Sequence, residues 1–160
     1  MPILNSRIQG KALDEDGNEV SVSPSEALKT VGPRLEVLVS PLDEQVKVLV
    51  EHGQPVPGPV RGFALVDTGA SITCIDRDVA VQAGLAVVDS GPMHSATHAN
   101  EIVPIYAGRL MISGLCAVDA NRAYGASLAP QGLVALVGRD ILAQCQFTYN
   151  GVDGSFSIAI

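Results

Sequence analysis

One carboxylate stands out among the residues that could do chemistry, because an apolar run delivers it into a tight turn. Phe63–Val66 ends at Asp67, which begins the turn Asp-Thr-Gly-Ala-Ser at residues 67–71. The Thr68 hydroxyl can lock such a turn, and Gly69 allows the backbone to approach a partner closely. An aspartate presented in this way can exchange a proton with a water molecule or a substrate oxygen. The same pattern also occurs in ordinary exposed turns, so a second signal has to decide between the two interpretations.

That second signal lies about seventy residues downstream, where the apolar run Leu133–Val137 leads into Gly-Arg-Asp-Ile-Leu at 138–142. An apolar strand, a glycine, Arg-Asp and a short helix, in this order after Asp-Thr-Gly, resemble the closing element of retropepsin-like aspartic peptidases, the family of the retroviral proteases. The resemblance covers roughly residues 60–160, with a flap expected at Met93–Tyr106. It implies an aspartic endopeptidase that hydrolyses peptide bonds.

The resemblance also implies two carboxylates that share one proton, whereas this chain offers one such turn. Asp153-Gly154-Ser155 is not a second copy, because no apolar strand leads into it. It is better interpreted as part of a hairpin connection between Phe147–Tyr149 and Phe156–Ile160. A chain of 160 residues suits one domain rather than two lobes. We therefore expect the second Asp67 to come from a second copy of the chain in a two-fold homodimer.

The expected fold class is all-β: a retropepsin-like closed β fold with short helices and one lobe per chain. Residues 60–160 would form the peptidase domain, and residues 1–59 an N-terminal extension with strands and a helix around 41–52 that packs on this core. We expect Ile3–Ile8 to pair with Val20–Val22. The other expected elements are a helix at Ser25–Val31, a strand at Leu35–Val39, a helix capped by Ser40, a strand at Ile72–Ile75, a helix at Asp76–Ala83 with Asp76 as cap and Gly84 as stop, flap arms at Met93–Thr97 and Ile102–Tyr106, strands at Leu110–Ile112 and Cys116–Val118, a loop at Asn121–Pro130, a helix at Arg139–Gln144 and the final hairpin.

Composition narrows the partners and the compartment. The net charge of −7, without a cluster of Lys or Arg, argues against nucleic acid or an anionic membrane as a partner. Residues 1–20 have no apolar core of signal-peptide length, which favours a cytoplasmic protein. The three cysteines, Cys74, Cys116 and Cys145, are widely spaced in apolar surroundings and are expected to be reduced, packed thiols.

The resemblance assigns roles to the residues of the turn. One Asp67 of the pair would act as base and the other as acid on a water held between them, without a metal or another cofactor. Thr68 would donate a hydrogen bond across the two-fold axis, and Gly69 would lie beside bound substrate. Ala70 cannot donate the hydroxyl hydrogen bond that pepsin-like enzymes have at its position, so we expect the shared proton to be held to higher pH.

The sequence says less about which residues would contact a substrate. The cleft is expected to be lined by Ala70, Ile72, Leu136 and Val137, which favours apolar peptides. The flap tip would contribute Thr97, His98, Ala99 and Asn100.

Three alternatives remain open. Arg139 needs an anion, for which Asp140, Asp76 and Asp78 are candidates. His94 and His98, with Cys116 or His52, could hold a metal ion for a metal-dependent hydrolysis. The protein could also be a catalytically silent dimeric module of the same fold that binds peptides or serves as a scaffold.

Overall fold

The computed structural model describes residues 1–13, 15–93 and 101–160 of the chain, which are mostly β-structure. The strands are β1 Ile3–Arg7, β2 Gly10–Leu13, β3 Glu19–Val22, β4 Arg34–Ser40, β5 Val60–Val66, β6 Cys74–Asp76, β7 Ala86–Met93, β8 Glu101–Ile112, β9 Cys116–Ala126, β10 Ala135–Val137, β11 Gln146–Asn150 and β12 Ser155–Ala159. The helices are α1 Pro24–Val31, α2 Asp43–Glu51, α3 Arg77–Gln82 and α4 Arg139–Leu142, and a 3-10 turn covers Ala129–Gln131.

The largest sheet has the order β4-β5-β10-β6-β9-β8-β7 and closes on itself. Closure is possible because β8 is long enough to meet two strands along one edge. Its first part pairs with β7 up to Ala107, and its last four residues, Arg109–Ile112, pair with β4. The expected closed, mostly β fold with short helices is therefore confirmed. Two smaller sheets, β1-β12-β11 and β2-β3, complete the strand pairing of the described residues.

The core lies inside the closed sheet, and the alternation of apolar residues along β4 shows how the sequence builds it. Leu35, Val37 and Val39 are at most 1% exposed, whereas the residues between them are partly exposed. Successive strand side chains point to opposite faces, so every second residue is apolar. Each fully buried Val or Leu contributes about 1.5–3 kcal/mol relative to an exposed one. Leu28 of α1 and Ile158 of β12 are also fully buried in this core.

Local signals place both ends of α1, but they do not place the start of α2. Ser23 caps α1 by accepting a hydrogen bond from the Glu26 N–H (3.2 Å), and Gly32 ends the helix at a φ of 74°. The prediction that Ser40 caps the next helix is wrong. Ser40 stays in β4, paired with Arg109, and α2 begins only at Asp43 without a side-chain cap. Sheet pairing therefore prevails over the capping preference of serine at this position.

Two predictions of strand pairing and loop structure are also wrong. β1 pairs with β12, whereas Gly10–Leu13 is the strand that pairs with Glu19–Val22. The stretch expected to be a loop at Asn121–Pro130 is β9 as far as Ala126, followed by the 3-10 turn. Strand β9 continues because Tyr124–Ala126 pair with Cys74–Asp76 of β6, and Gly125 is tightly packed there. A Cβ atom on Gly125 would lie 2.8 Å from the Tyr106 ring.

The predictions for α1, β4, α3 and the β11–β12 hairpin are confirmed within one or two residues, and α4 ends two residues earlier than predicted, at Leu142. Residues 1–59 contribute β4 to the closed sheet and β1 to the sheet with β11 and β12. The two-part division at residue 59 remains a prediction, although hydrogen bonding between β4 and β5 runs across it.

None of the helices in the described part of the chain has the length and apolar character needed to span a bilayer.

Candidate active site

Asp67 lies where two parallel strands end side by side. Strand β5 pairs with β10 up to Val66↔Val137, and the Asp67 N–H donates to the Val137 carbonyl (3.0 Å). The Asp67 carboxylate is hydrogen-bonded to the backbone of its own turn. Its Oδ1 accepts hydrogen bonds from the N–H groups of Gly69 (2.8 Å) and Ala70 (3.3 Å). These two bonds fix one carboxylate oxygen and leave Oδ2 without a partner among the described residues.

Gly69 has a steric reason to be glycine in this turn. A Cβ atom at this position would lie 3.1 Å from Oδ1 of Asp67, closer than an ordinary contact. Thr68 is exposed at the tip of the turn. Its expected hydrogen bond to a second chain therefore remains a prediction, as do the supporting roles of Gly69 and Ala70.

Arg139 connects the turn to α4, but not through an acid. Its backbone N–H donates to the Ala70 carbonyl (2.9 Å), and its guanidinium Nη1 donates to the carbonyls of Thr68 (2.8 Å) and Gly69 (3.1 Å). The prediction of Asp140, Asp76 or Asp78 as its partner is wrong for the described part of the chain. Carbonyl oxygens carry enough negative partial charge to orient a guanidinium, so no carboxylate is required.

Thr73 and Asp140 form a connection that sequence reasoning missed. The Thr73 side chain is fully buried, and its Oγ1 donates to Asp140 Oδ1 (2.8 Å) while accepting from the Gly138 N–H (3.1 Å). The Thr73 N–H also donates to both carboxylate oxygens of Asp140, at 3.0 Å each. A threonine inside the apolar run 72–75 was the available signal, because a buried hydroxyl needs partners.

A cleft of about 1080 Å³ opens beside Asp67. Ala70, Ile72 and Leu136 lie in its lining as expected, whereas Val137 does not, because it is fully buried in the core. The remaining described lining is mixed: Met93, Tyr124, Leu128 and Pro130 contribute apolar surface, and Ser71, Arg77, Glu101, Ser127 and Gln131 contribute polar surface.

An ion pair is present at the same cleft. Arg77 Nη2 lies 2.7 Å from Glu101 Oε1, and Arg77 Nε donates to the Gly125 carbonyl (3.2 Å). The pair connects the start of α3 to the start of β8. Both side chains are about 40% exposed, at 39% and 42%, so the pair is worth at most about 1 kcal/mol.

The predicted flap tip, Thr97, His98, Ala99 and Asn100, lies outside the described residues, as does His94. The strands on either side of it are described, and they pair as a hairpin from Met93↔Glu101 to Ala86↔Ala107. Of the predicted first arm, Met93–Thr97, only Met93 is described, at the end of β7, and the flap remains a prediction. Among the described residues, no three His, Cys, Asp or Glu side chains come together as a metal-binding group.

The three cysteines are free, as predicted. Cys74 lines the cleft, and burial, together with the negative charges of Asp140 and Asp67, raises the pKa of its thiol to about 11. Burial also raises the pKa of the Cys116 and Cys145 thiols. A neutral thiol is a poor nucleophile, so Cys74 is not a candidate nucleophile in this cleft.

Comparison with known proteins gives two matches. The sequence model of a family described as aspartyl protease matches residues 46–113. Among solved structures, a retropepsin-like aspartic protease from Rickettsia conorii is similar to this chain, with 13% identity, a TM-score of 0.46, and coverage of 98% of this chain and 92% of that chain. No curated protein matches. The resemblance to aspartic peptidases that the sequence indicated is thus confirmed by the family match over residues 46–113, the segment that contains Asp67, Thr68 and Gly69.

Proposed function

We propose that this protein is an aspartic endopeptidase that acts as a homodimer and uses the two Asp67 carboxylates to activate water. The observation that carries the proposal is the geometry of Asp67. One of its oxygens is held by two backbone N–H groups of its own turn, and the residue opens onto a cleft of about 1080 Å³. A cleft of this size, lined by both apolar and polar side chains, accommodates several residues of an extended peptide.

Two carboxylates a few ångströms apart cannot both ionise, so the pair holds one proton. The ionised Asp67 takes a proton from a water molecule, and the oxygen of that water attacks the carbonyl carbon of the scissile bond. The protonated Asp67 gives its proton to the carbonyl oxygen as the tetrahedral intermediate forms. Collapse of the intermediate then breaks the C–N bond. The Asp67 that took the water proton gives it to the leaving nitrogen, and one hydroxyl group of the intermediate gives its proton to the other Asp67, so the pair again holds one proton.

A second copy of the chain is the proposed source of the second carboxylate. Two-fold symmetry places equivalent residues opposite one another at the axis. The exposed position of Thr68 at the tip of the turn supports this arrangement, because the turn is accessible to a partner. A cytoplasmic location is part of the proposal and is supported by the three free cysteines.

A carboxylate-to-amide substitution tests the role of Asp67. We expect Asp67→Asn to reduce kcat/KM on a peptide library by at least about 10³-fold, because the amide cannot exchange the proton. The matched control is Asp78→Asn, which makes the same change at an exposed aspartate in α3 and should leave cleavage unchanged. Activity of Asp67→Asn near that of the wild type would exclude the mechanism. Peptide binding without cleavage by the wild type would instead favour the catalytically silent module.

Dilution and mixing test the homodimer. The cleavage rate per chain should fall when the protein is diluted below the dissociation constant of the dimer, because a single chain holds only one carboxylate of the pair. Excess Asp67→Asn chain should suppress wild-type activity by forming sites with one acid, whereas excess Asp67→Asn chain added after chemical cross-linking of the wild-type dimer should not. A monomer with full activity, measured by light scattering at the assay concentration, would contradict the proposal.

A further inference from the structure

Asp76 is a buried acid that the proposed chemistry does not use. It is 3% exposed, and its two carboxylate oxygens serve two different parts of the molecule. Oδ1 accepts hydrogen bonds from the Asp78 N–H (3.0 Å) and the Val79 N–H (3.3 Å), in the first turn of α3. Oδ2 accepts from the Leu128 N–H (2.8 Å) and the Ala129 N–H (3.0 Å), fifty-two and fifty-three residues away.

The second pair of bonds reaches a wall of the cleft. Ser127, Leu128, Pro130 and Gln131, which we call the 127–131 wall, all line the cleft that contains Asp67. Asp76 also pairs with Ala126, the last residue of β9, so it lies where this wall leaves the sheet. The wall continues as a 3-10 turn in which the N–H groups of Gln131 and Gly132 donate to the carbonyls of Leu128 and Ala129 (2.9 Å each), and Arg34 Nη2 donates to the Gln131 carbonyl (3.3 Å). The N–H groups of Leu128 and Ala129, at the start of this turn, have Asp76 as their acceptor among the described residues.

Capping of α3 alone does not explain why an aspartate is present. A helix cap needs one oxygen, and Ser23 performs that task for α1 with its hydroxyl. A buried carboxylate is costly unless both oxygens have donors, and here the backbone of the 127–131 wall supplies the donors for the second oxygen. The Leu128 N–H is itself in the buried interior and would lose its acceptor without Oδ2.

We propose that Asp76 is a positioning residue that holds the 127–131 wall against the cleft and thereby limits which apolar side chains the cleft accepts. This inference rests on the proposed function for its consequence, the selection of peptides. The wall contributes Leu128 and Pro130 to the apolar lining shared with Ile72 and Leu136. Release of the wall widens the cleft, so large apolar side chains should be discriminated less strictly from small ones.

The experiment separates the two tasks of Asp76 with two substitutions. Asp76→Ser keeps a capping oxygen for α3 but is too short, and has too few oxygens, to reach Leu128 and Ala129. Asp76→Asn keeps the size and one acceptor oxygen, and is used if Asp76→Ser does not fold. The control is Asp78→Asn, which removes a charge two residues away at an exposed position.

The first measurement is amide hydrogen exchange, which does not depend on activity. In Asp76→Ser, we expect exchange at Leu128 and Ala129 to be at least about tenfold faster, with the α3 amides of Ala80 and Val81 nearly unchanged. In Asp76→Asn, the Leu128 and Ala129 amides should again be affected more than those of α3. Unchanged exchange at Leu128 and Ala129 in the variant that folds would overturn the proposal.

The second measurement is the selectivity of the site. We expect KM for a peptide with a Leu side chain in the cleft to rise about tenfold in Asp76→Ser, with kcat changed less than about threefold, and the preference between Leu and Phe peptides to shrink. If the wild type cleaves no peptide, calorimetric binding of a statine-type peptide replaces KM, so failure of the proposed function is recognised separately. Faster exchange with unchanged KM or binding would refute the role in selectivity.

Discussion

The turn at residues 67–73, which we call the Asp67 turn, and the hairpin of β2 and β3 are stabilised in different ways. Hydrogen bonds attach the Asp67 turn to residues 137–140, about seventy positions away in sequence. The hairpin pairs residues 10–13 with residues 19–22 and is exposed along most of its length. The turn therefore depends on a distant segment, whereas the hairpin depends mainly on its own backbone ladder.

The difference has an energetic consequence. A buried hydrogen bond to a charged group is worth about 1.5–3 kcal/mol, whereas an exposed two-stranded hairpin is marginal by itself. Changes at the contacts of the Asp67 turn should therefore destabilise the whole domain, and changes in the hairpin should have local effects. The precision of the candidate active site comes from the contacts between distant segments.

The largest loss of stability is expected from a substitution at Gly138, where the Asp67 turn contacts residues 137–140. A Cβ atom there would lie 2.6 Å from the Ile72 carbonyl carbon and 2.8 Å from the Thr73 nitrogen, both backbone atoms that cannot rotate away. We expect Gly138→Ala to lower the free energy of unfolding by at least about 3 kcal/mol, measured by urea denaturation. The control is Gly58→Ala, where no atom lies within 4 Å. A Gly138→Ala protein as stable as this control would show that the contact is not tight.

Thr73 should give the next largest effect. Thr73→Val keeps the shape but removes the hydroxyl that bonds Asp140 and Gly138. We expect a loss of about 2–3 kcal/mol in the free energy of unfolding, because the Gly138 N–H is left buried without its acceptor. Thr148→Val makes the same change on an exposed strand position and should alter stability by less than about 0.5 kcal/mol. Equal losses in the two variants would contradict the distinction between the regions.

The thiol of Cys74 gives a smaller effect that depends on pH. Because folding raises its pKa from 9.0 to about 11, the unfolded chain releases the thiol proton at lower pH than the folded chain. The free energy of unfolding should therefore fall as pH rises from about 9 to about 11 through this group. The Cys74→Ala variant should show a shallower decline over the same range in urea denaturation. Identical slopes for the two proteins would mean that the Cys74 thiol is not protected from ionisation in the fold.

The smallest effect is expected in the β2–β3 hairpin. Lys11 Nζ lies 2.6 Å from Glu19 Oε2, but these side chains are 70% and 64% exposed. Lys11→Ala should change the free energy of unfolding by less than about 0.5 kcal/mol, because exposed ion pairs are screened by solvent. Thermal unfolding of the wild type and of Lys11→Ala, each at low and at high salt, measures this change. A loss above about 1 kcal/mol would show that the hairpin is coupled to the core and would remove the contrast between the regions.

Local patterns were enough to predict the elements that depend on local chemistry. Alternating apolar residues predicted β4, and the capping residue Asp76 with the stop Gly84 predicted α3. The final hairpin followed from Asn150 and its neighbouring glycines. Pairing between distant segments could not be read in the same way, because β1 has no local feature that distinguishes β12 from β3 as its partner.

In the candidate site, too, some features follow from local sequence and others from contacts between distant segments. The sequence by itself determined the order of the motifs, the position of Asp67 at the end of an apolar strand and the resemblance to aspartic peptidases, because these depend on residue type and short spacing. Tertiary structure decided that Arg139 binds the carbonyls of the turn, that Asp140 binds Thr73, and that Asp76 holds a wall of the cleft. A polar side chain bonds whichever donor or acceptor the fold brings within about 3 Å, and that neighbour is set by the closure of the sheet.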